Sequence, residues 1–224
     1  MEHRQTLKNS MYEASVRVPL IVVPPMRLAK WRIRNITVRS LVSLVDIYPT
    51  LLDMAGASTL PYLAGQSLLP LIARSLSQVG RGHRRKDFIT SQYHSTFAPT
   101  GIFMIRSGAF KLVTYGSPPN GTDPFMPQLF NIDKDPAELI NLAETSKGKS
   151  VVLILERKMA GEFNASSIDN EAQAYHRSMY RSYFWKKDFA KEGRCIGALS
   201  EHYYVGFDRH DAARIEQWSG LPCR

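Results

Sequence analysis

A chain of 224 residues with 44% hydrophobic side chains is long enough to bury a sizeable core, as one large domain or two small ones. Its 29 lysines and arginines against 20 aspartates and glutamates give a formal charge of +9, which suits nucleic acid, an anionic membrane surface or sulfated glycans. No basic stripe interleaved with aromatics and no recognition-helix pattern is present, which sets nucleic acid aside, and no apolar run approaches the roughly 18 residues that cross a bilayer.

Near the start, Ser10-Met11-Tyr12-Glu13 fits a capping box, so the pattern predicts a helix beginning at Ser10. Val16 and Val18 are β-branched and Pro19 disfavours helical geometry at Val18, while Val18 to Val23 is an apolar run closed by Pro24-Pro25. A short helix feeding a buried strand is expected. Lys8 then precedes the helix at a sheet edge, where α/β folds hold ligands, and an ammonium beside free helix N–H groups favours an oxyanion. Spacing alone is equally served by a solvated surface lysine.

Pro24 to Thr37 reads as a basic surface loop. Asp46 precedes Ile47 to Gly56, where an Asp cap, a first-turn Pro49, apolar spacing and a terminal Gly mark a helix at both ends. Gly65 to Pro70 reads as a turn into a short helix. The polar stretch from Ser77 to Lys86, with Arg81-Gly82-His83-Arg84-Arg85-Lys86, reads as a solvated linker.

From Asp87 the pattern changes to short β-rich runs at Phe88 to His94, Ile102 to Arg106, Phe110 to Tyr115 and Gln128 to Ile132, which predict a small antiparallel sheet. Asp133-Lys134-Asp135-Pro136 reads as a turn, with Pro136 starting a helix. His94, at the end of the first run, is readable as a structural histidine or as a contact to a substrate carboxylate or sulfate. Beyond Ser150 the spacing turns helical, in Val151 to Phe163, Ala172 to Lys191 and Asp208 to Trp218. Tyr175, Met179, Tyr183 and Phe184 fall near helical spacing and are expected in the core.

Cys195 and Cys223 are able to pair in an oxidising compartment, but two cysteines do not define a framework. N-x-S/T sequons at Asn35, Asn120 and Asn164 point to the secretory pathway, whereas Met1-Glu2-His3-Arg4 is no start of a signal peptide. The expectation is that the native N-terminus lies further upstream.

The order E-H-x-x-x-x-K-x-S-x-Y-E-x-S-x-x-V-P-L over residues 2–20 resembles the sulfatase segment that follows an Asp-His-Gly metal motif. V-D-I-Y-P-T-L-L-D-x-A-G over 45–56 and G-x-S-L-x-P over 65–70 are similar to sulfatase segments as well. So is R-x-x-x-x-K-L-V-x-Y over 106–115, with L-F-N-I-D-K-D-P-A-E-L-I-N-L-A over 129–143.

The resemblance implies an α/β fold: the C-terminal portion of a large mixed sheet with flanking helices, plus a small antiparallel-sheet subdomain with helices. It places the end of a catalytic domain at 1–76, a linker at 77–86, the small subdomain at 87–145 and a helical extension at 146–224. It implies that the complete protein is a sulfuric ester hydrolase that removes 2-O-sulfate from glucuronate in glycosaminoglycans, in the lysosome or outside the cell. Lys8 would be catalytic through contact with the sulfate group; His3, Arg4 and His94 would be substrate-binding. His3 and Arg4 remain equally readable as packing and surface residues, and Asp46 as a structural cap.

The family's nucleophile is a formylglycine made from the cysteine of Cys-x-Pro-x-Arg. Here Cys195 is followed by Ile196-Gly197 and Cys223 by Arg224, so the nucleophile is absent from this chain. The family's calcium is held by hard oxygen ligands that the resemblance places upstream, so no metal ligand is assigned in this chain. The chain alone is therefore expected to be inactive. The alternative reading is a non-catalytic, truncated paralogue that binds sulfated glycans.

Overall fold

The computed structural model describes residues 10–23, 37–58, 60–76, 85–94, 100–117, 125–179 and 220. Two compact units are formed: one from Met1–Arg17, Ser91–Ile105 and Phe110–Arg224, the other from Val18–Thr90 and Arg106–Ala109.

A four-stranded sheet, in the order β1-β2-β3-β4, is built from β1 (Phe88–Tyr93), β2 (Ile102–Ser107), β3 (Phe110–Tyr115) and β4 (Gln128–Asn131). These are the four runs that the alternation marks in the sequence. Strands β2 and β3 are joined through Gly108-Ala109, with Gly108 at φ 55°, the left-handed conformation that a two-residue hairpin asks of its first residue. Strands β3 and β4 pair antiparallel, Lys111 opposite Phe130 and Val113 opposite Gln128. The free edge of β4 is met by Asn141, whose Oδ1 accepts from Leu129 N at 2.9 Å, and by Leu142 N, which donates to Leu129 O at 2.8 Å. The edge thus keeps its backbone groups satisfied.

Because side chains alternate along a strand, the sheet has two inner faces. Met104 and Val113 form one with Met11, and Tyr93, Ile102 and Tyr115 pack around them. Phe103, Ile105, Leu112 and Leu129 belong to the other and are fully enclosed. Phe163, just past α4 (Ser146–Ala160), stacks on Phe103 at 5.8 Å. Helix α4 begins where Thr145 Oγ1 accepts from Gly148 N at 3.0 Å, and it buries Val152, Leu155 and Met159. Gly148 allows this start, since a Cβ there would lie 1.7 Å from the Leu142 carbonyl oxygen.

In the second unit a 3₁₀ turn (Leu44–Asp46) runs into α2 (Ile47–Met54). The expected terminal glycine is in place: Gly56, at φ 68°, lets Ala57 N donate to Leu52 O and Gly56 N to Asp53 O, a Schellman closure. A turn then leads to α3 (Leu69–Leu76), as the sequence predicts.

Four expectations are corrected. The helix near the start, α1, is the single turn Glu13–Val16; Ser10 does not cap it, and its hydroxyl meets Ser15 Oγ at 3.3 Å instead. The Glu13 side chain is drawn away to Lys111, so no capping box closes. Val18 to Val23 is not a buried strand: it has no regular structure, and Ile21 and Val23 are more than 80% exposed. A strand needs a partner for its backbone groups, and none pairs with it among the described residues. Pro136 starts no helix, because Glu138 turns into the left-handed region (φ 56°) and Asp135 Oδ2 captures Ile140 N at 2.8 Å. Finally, α5 (Ala165–Met179) faces inward with Asp169, Gln173 and His176, leaving Tyr175 63% exposed and Met179 partly exposed. The expected helix over 208–218 and the aromatic residues Tyr183 and Phe184 lie outside the described residues.

Candidate functional site

Lys8, His3 and Arg4 lie outside the described residues, as do Asn35, Asn120, Cys195 and Cys223. The segment that follows Lys8 is described from Ser10 onward, and it is fastened to the sheet at several points. Met11 is buried against Met104 and Val113, and the Tyr12 ring meets Phe130 at 5.9 Å. The Glu13 backbone N–H donates to Glu138 Oε2 at 2.6 Å, and Glu13 Oε1 receives Lys111 Nζ at 3.1 Å.

Lys111 is the centre of this attachment. In the alternation of β3 it shares its face with Val113 and Tyr115, so the strand carries it inward, and its side chain is 0% exposed. It is tolerated there because two carboxylates meet it, those of Glu13 and Glu138, the latter 2% exposed. A charge is buried at bearable cost only when paired in this way. Glu138 reaches the ammonium from its left-handed backbone position, which few non-glycine residues adopt.

Beside this attachment lies a cavity of about 90 Å³. Its apolar floor is Met11, Ile102 and Val113, and its polar rim is Ser10, Tyr12, Tyr115 and Gln128. Burial, and then the neighbouring Tyr12, raise the Tyr115 phenol above its ordinary value, so it stays a neutral hydrogen-bonding group. The rim can hold a small polar group, offering hydroxyls and an amide.

His94 enters a different cluster. Its ring meets Phe103 edge-on at 5.4 Å, its Nε2 lies 3.5 Å from Gln92 Oε1, and its Nδ1 is buried without a partner among the described residues. Asp169 of α5 is 1% exposed, accepting Gly101 N at 2.6 Å and Thr100 Oγ1 at 3.0 Å. Gly101 and Gly116 make room for this: a Cβ on Gly101 would touch the His94 ring, and one on Gly116 would lie 2.0 Å from Asp169 Oδ2. His176, buried on the same helix, completes the group. The structure thus brings His94 together with Asp169 and His176.

Burial, followed by the neighbouring His94, lowers the His176 imidazole below its ordinary 6.5, and the Asp169 carboxylate opposes the shift. The folded state therefore binds fewer protons than the unfolded chain. The share of stability linked to His176 is complete above its ordinary value of 6.5 and is lost as pH falls from there through the lower folded value. His176→Gln is expected to flatten this part of the stability profile, read as unfolding midpoints at about pH 7.5 and about pH 5. Parallel profiles for the two proteins would rule the assignment out.

Asp46 is structural but is not the cap that the pattern predicts: its backbone is already helical and its side chain accepts no N–H of α2. Its carboxylate accepts Ser43 N at 2.9 Å, Gln66 N at 2.7 Å and Arg85 Nη2 at 2.5 Å. Arg85, read from sequence as part of a solvated stretch, is in fact mostly buried and also donates to the carbonyls of Gln66 and Ser67. Among the described residues no group of three or more His, Cys, Asp or Glu side chains stands ready to hold a metal ion. The buried carboxylates are already engaged by Lys111, Arg85 or backbone N–H groups, so these residues do not fit a calcium site. Asn164 is exposed and caps α5, its Oδ1 accepting Ser167 N at 3.0 Å.

Sequence reasoning passed over Lys111, Glu138, Asp169 and His176. A signal for Lys111 was present, a charge on the inward register of an otherwise apolar strand. For Asp169 and His176 it was a polar stripe at i, i+4 and i+7, with Gln173 between them.

A family described as "N-sulphoglucosamine sulphohydrolase, C-terminal" matches residues 1–165. Arylsulfatase K of Mus musculus is 37% identical over 188 residues, which is 84% of this chain and 32% of that protein. Arylsulfatase K of Homo sapiens is 33% identical over 224 residues, 97% of this chain and 39% of that protein. Among solved structures, one described as a 2-O GAG sulfatase aligns with a TM-score of 0.40 at 27% identity, over 61% of this chain and 26% of its own. The phosphonate monoester hydrolase of Agrobacterium radiobacter aligns with a TM-score of 0.44 at 23% identity, over 62% and 26%. The chain spans roughly a third to two fifths of the length of the curated relatives it matches. On the match over residues 1–165, this chain belongs to the sulfatase family defined by the N-sulphoglucosamine sulphohydrolase C-terminal region.

Proposed function

We propose that this chain is the C-terminal part of a sulfuric ester hydrolase, and that the complete protein removes 2-O-sulfate from glucuronate in glycosaminoglycans. The observation that carries the reading is the family match over residues 1–165 together with the anchoring of the segment that follows Lys8. In this reading Lys8 contacts the sulfate and stabilises the charge that grows on the sulfuryl oxygens and on the leaving alkoxide. His3, Arg4 and His94 bind the substrate. The formylglycine nucleophile and the calcium ligands belong to the part of the protein upstream of Met1. Calcium, when bound there, supplies positive charge beside the sulfate.

The surface supports the reading as well. Ile21, Val23, Leu44, Val45, Tyr48 and Leu51 stand exposed among the described residues, an apolar surface suited to cover by another part of a protein. A further part of the catalytic domain would cover it. The charge of +9 suits a polysulfated substrate. The exposed sequon at Asn164 supports passage through the secretory pathway to the lysosome or the exterior, since a glycan on the amide nitrogen leaves Oδ1 free to keep the α5 cap.

The test uses the complete protein and the 224-residue chain side by side, with an aryl sulfate and a 2-O-sulfated glucuronate disaccharide. The complete protein is expected to hydrolyse both, and Lys8→Ala to lower kcat by roughly 10²–10³-fold, as for loss of one oxyanion contact. The chain alone is expected to hydrolyse neither. Turnover by the isolated chain, or salt-sensitive heparin binding by the complete protein without turnover, would sink the reading, and the second would favour a non-catalytic glycan binder.

A further inference from the structure

We propose that the cavity over Met11, Ile102 and Val113 is a binding subsite for the acetamido group of an N-acetylated hexosamine. The inference deepens the reading of the complete protein as a glycosaminoglycan sulfatase and rests on it for the identity of the larger ligand. In such polymers a uronate is joined to a hexosamine whose nitrogen carries an acetyl or a sulfo group. The described residues that line the cavity all belong to the first compact unit.

The size of the cavity restricts what can enter. About 90 Å³ is the room of about three waters at roughly 30 Å³ each, which suits a group of four heavy atoms and excludes a whole sugar ring. The cavity is neither sealed nor flat, so a group can enter while the rest of its molecule stays outside. The lining then selects the group. Met11 and Val113 are almost wholly buried and, with Ile102, offer an apolar seat for a methyl. The Ser10, Tyr12 and Tyr115 hydroxyls and the Gln128 amide can donate to a carbonyl and accept from an N–H. Gln128 Nε2 lies 3.5 Å from the Tyr12 hydroxyl, beyond the ordinary range of a hydrogen bond, so its amide loses little by turning to a ligand. An acetamido group carries the same parts in the same order, a methyl at the tip with a carbonyl and an N–H behind it.

Charge sharpens the choice. Burial keeps the Tyr115 phenol neutral, and Lys111, two residues from Val113 on the same face, is already engaged by Glu13 and Glu138. An N-sulfo group or a free ammonium would enter without a counter-charge, at a desolvation cost that a neutral amide does not bear. The overall charge of +9 attracts the polymer, whereas this cavity accepts one of its neutral groups and rejects the charged alternatives. Beside the rim stands a platform for the rest of the sugar. The Phe125 ring meets Tyr115 at 5.2 Å and is 46% exposed, and a pyranose held by its acetamido group can lay its C–H face on it.

The experiment is saturation-transfer NMR on the complete protein with the methyl glycoside of N-acetylglucosamine, run beside those of glucosamine and N-sulfoglucosamine. It reads binding and does not depend on turnover. Transfer is expected to concentrate on the acetyl methyl protons, with Kd on the order of 1 mM and binding of the two charged sugars at least about tenfold weaker. Tyr115→Phe is expected to weaken N-acetylglucosamine about fivefold, as for loss of one neutral hydrogen bond. Val113→Ile puts a further methylene into the seat and is expected to weaken it about tenfold with the unfolding midpoint nearly unchanged, since the added group enters empty space. Phe125→Ala, at an exposed position, is expected to weaken it about threefold. Equal transfer to acetyl and ring protons, equal binding of the three sugars, or an affinity unmoved by Tyr115→Phe and Val113→Ile would overturn the inference even in a protein that hydrolyses sulfate esters. Methyl-centred transfer that is lost in Val113→Ile, in a protein that hydrolyses none, would uphold the subsite and remove the sulfatase reading.

Discussion

Lys111→Met is expected to destabilise the protein by about 3–5 kcal/mol, the cost typical of removing one member of a buried ion cluster. Methionine fills the same volume and lies on an apolar face, so packing predicts little loss. The loss comes from what is left behind, two carboxylates at Glu13 and Glu138, one of them almost wholly enclosed, with no cation between them. With no cation between them the two carboxylates repel, which favours release of the segment carrying Glu13 from the sheet. A chemical denaturation midpoint read by tryptophan-independent far-UV signal measures the loss. The triple variant Lys111→Met, Glu13→Gln, Glu138→Gln should recover much of it, since no buried charge remains. A single-variant loss below about 1 kcal/mol, the range of solvated ion pairs, would show that water reaches the cluster.

Asp46→Ala is the second large effect, expected at about 3 kcal/mol from loss of a mostly buried pair. The carboxylate is 94% enclosed as a side chain and is the meeting point of three separate stretches, at Ser43, Gln66 and Arg85. Its own carbonyl accepts the Thr50 hydroxyl at 2.6 Å, which in turn accepts Leu68 N at 2.8 Å, so the same residue ties α2 to the entry of α3. Alanine strands the Arg85 guanidinium and two backbone N–H groups together. Asp46→Asn keeps the shape and one acceptor oxygen, and should cost less than half as much. Equal losses for the two variants, measured by denaturant midpoints, would mean that Arg85 needs the charge itself and that shape and the remaining acceptor oxygen contribute little. Neither variant removes a group that the functional reading places against substrate, so the complete protein should keep its kcat wherever it stays folded.

The two clusters show where a one-dimensional reading ran out. The helix α2 was legible, because an Asp before an apolar run with Pro and a closing Gly is a local pattern, but Asp46 does not cap it: its carboxylate turns back to Ser43 N and across to Gln66 N. That it would also capture Arg85, thirty-nine residues later in a stretch read as solvent-exposed, was not local and left no trace in spacing. Glu13 failed in the opposite sense. The capping box at Ser10 was a sound local pattern, and a distant lysine outcompeted it, since a charge-assisted contact to a buried ammonium is stronger than a reach back to one N–H group. On α5 the aromatic stripe suggested the wrong face. The inward side is polar because it meets the buried backbone N–H of Gly101 and the buried Thr100 hydroxyl, which need an acceptor more than an apolar cover.

The four strands, the glycine that ends α2 and the family were legible along the chain, because these depend on β-rich runs, turn residues and ordered motifs within short windows. The tertiary structure alone decided three things: the enclosure of Lys111 by Glu13 and Glu138, the union of His94 with Asp169 and His176, and the exposure of Val18 to Val23. The physical reason is common to them. A charge is buried, a histidine is shifted and an apolar run becomes a strand only through partners that the fold brings from elsewhere, and periodicity along the chain carries no record of those partners.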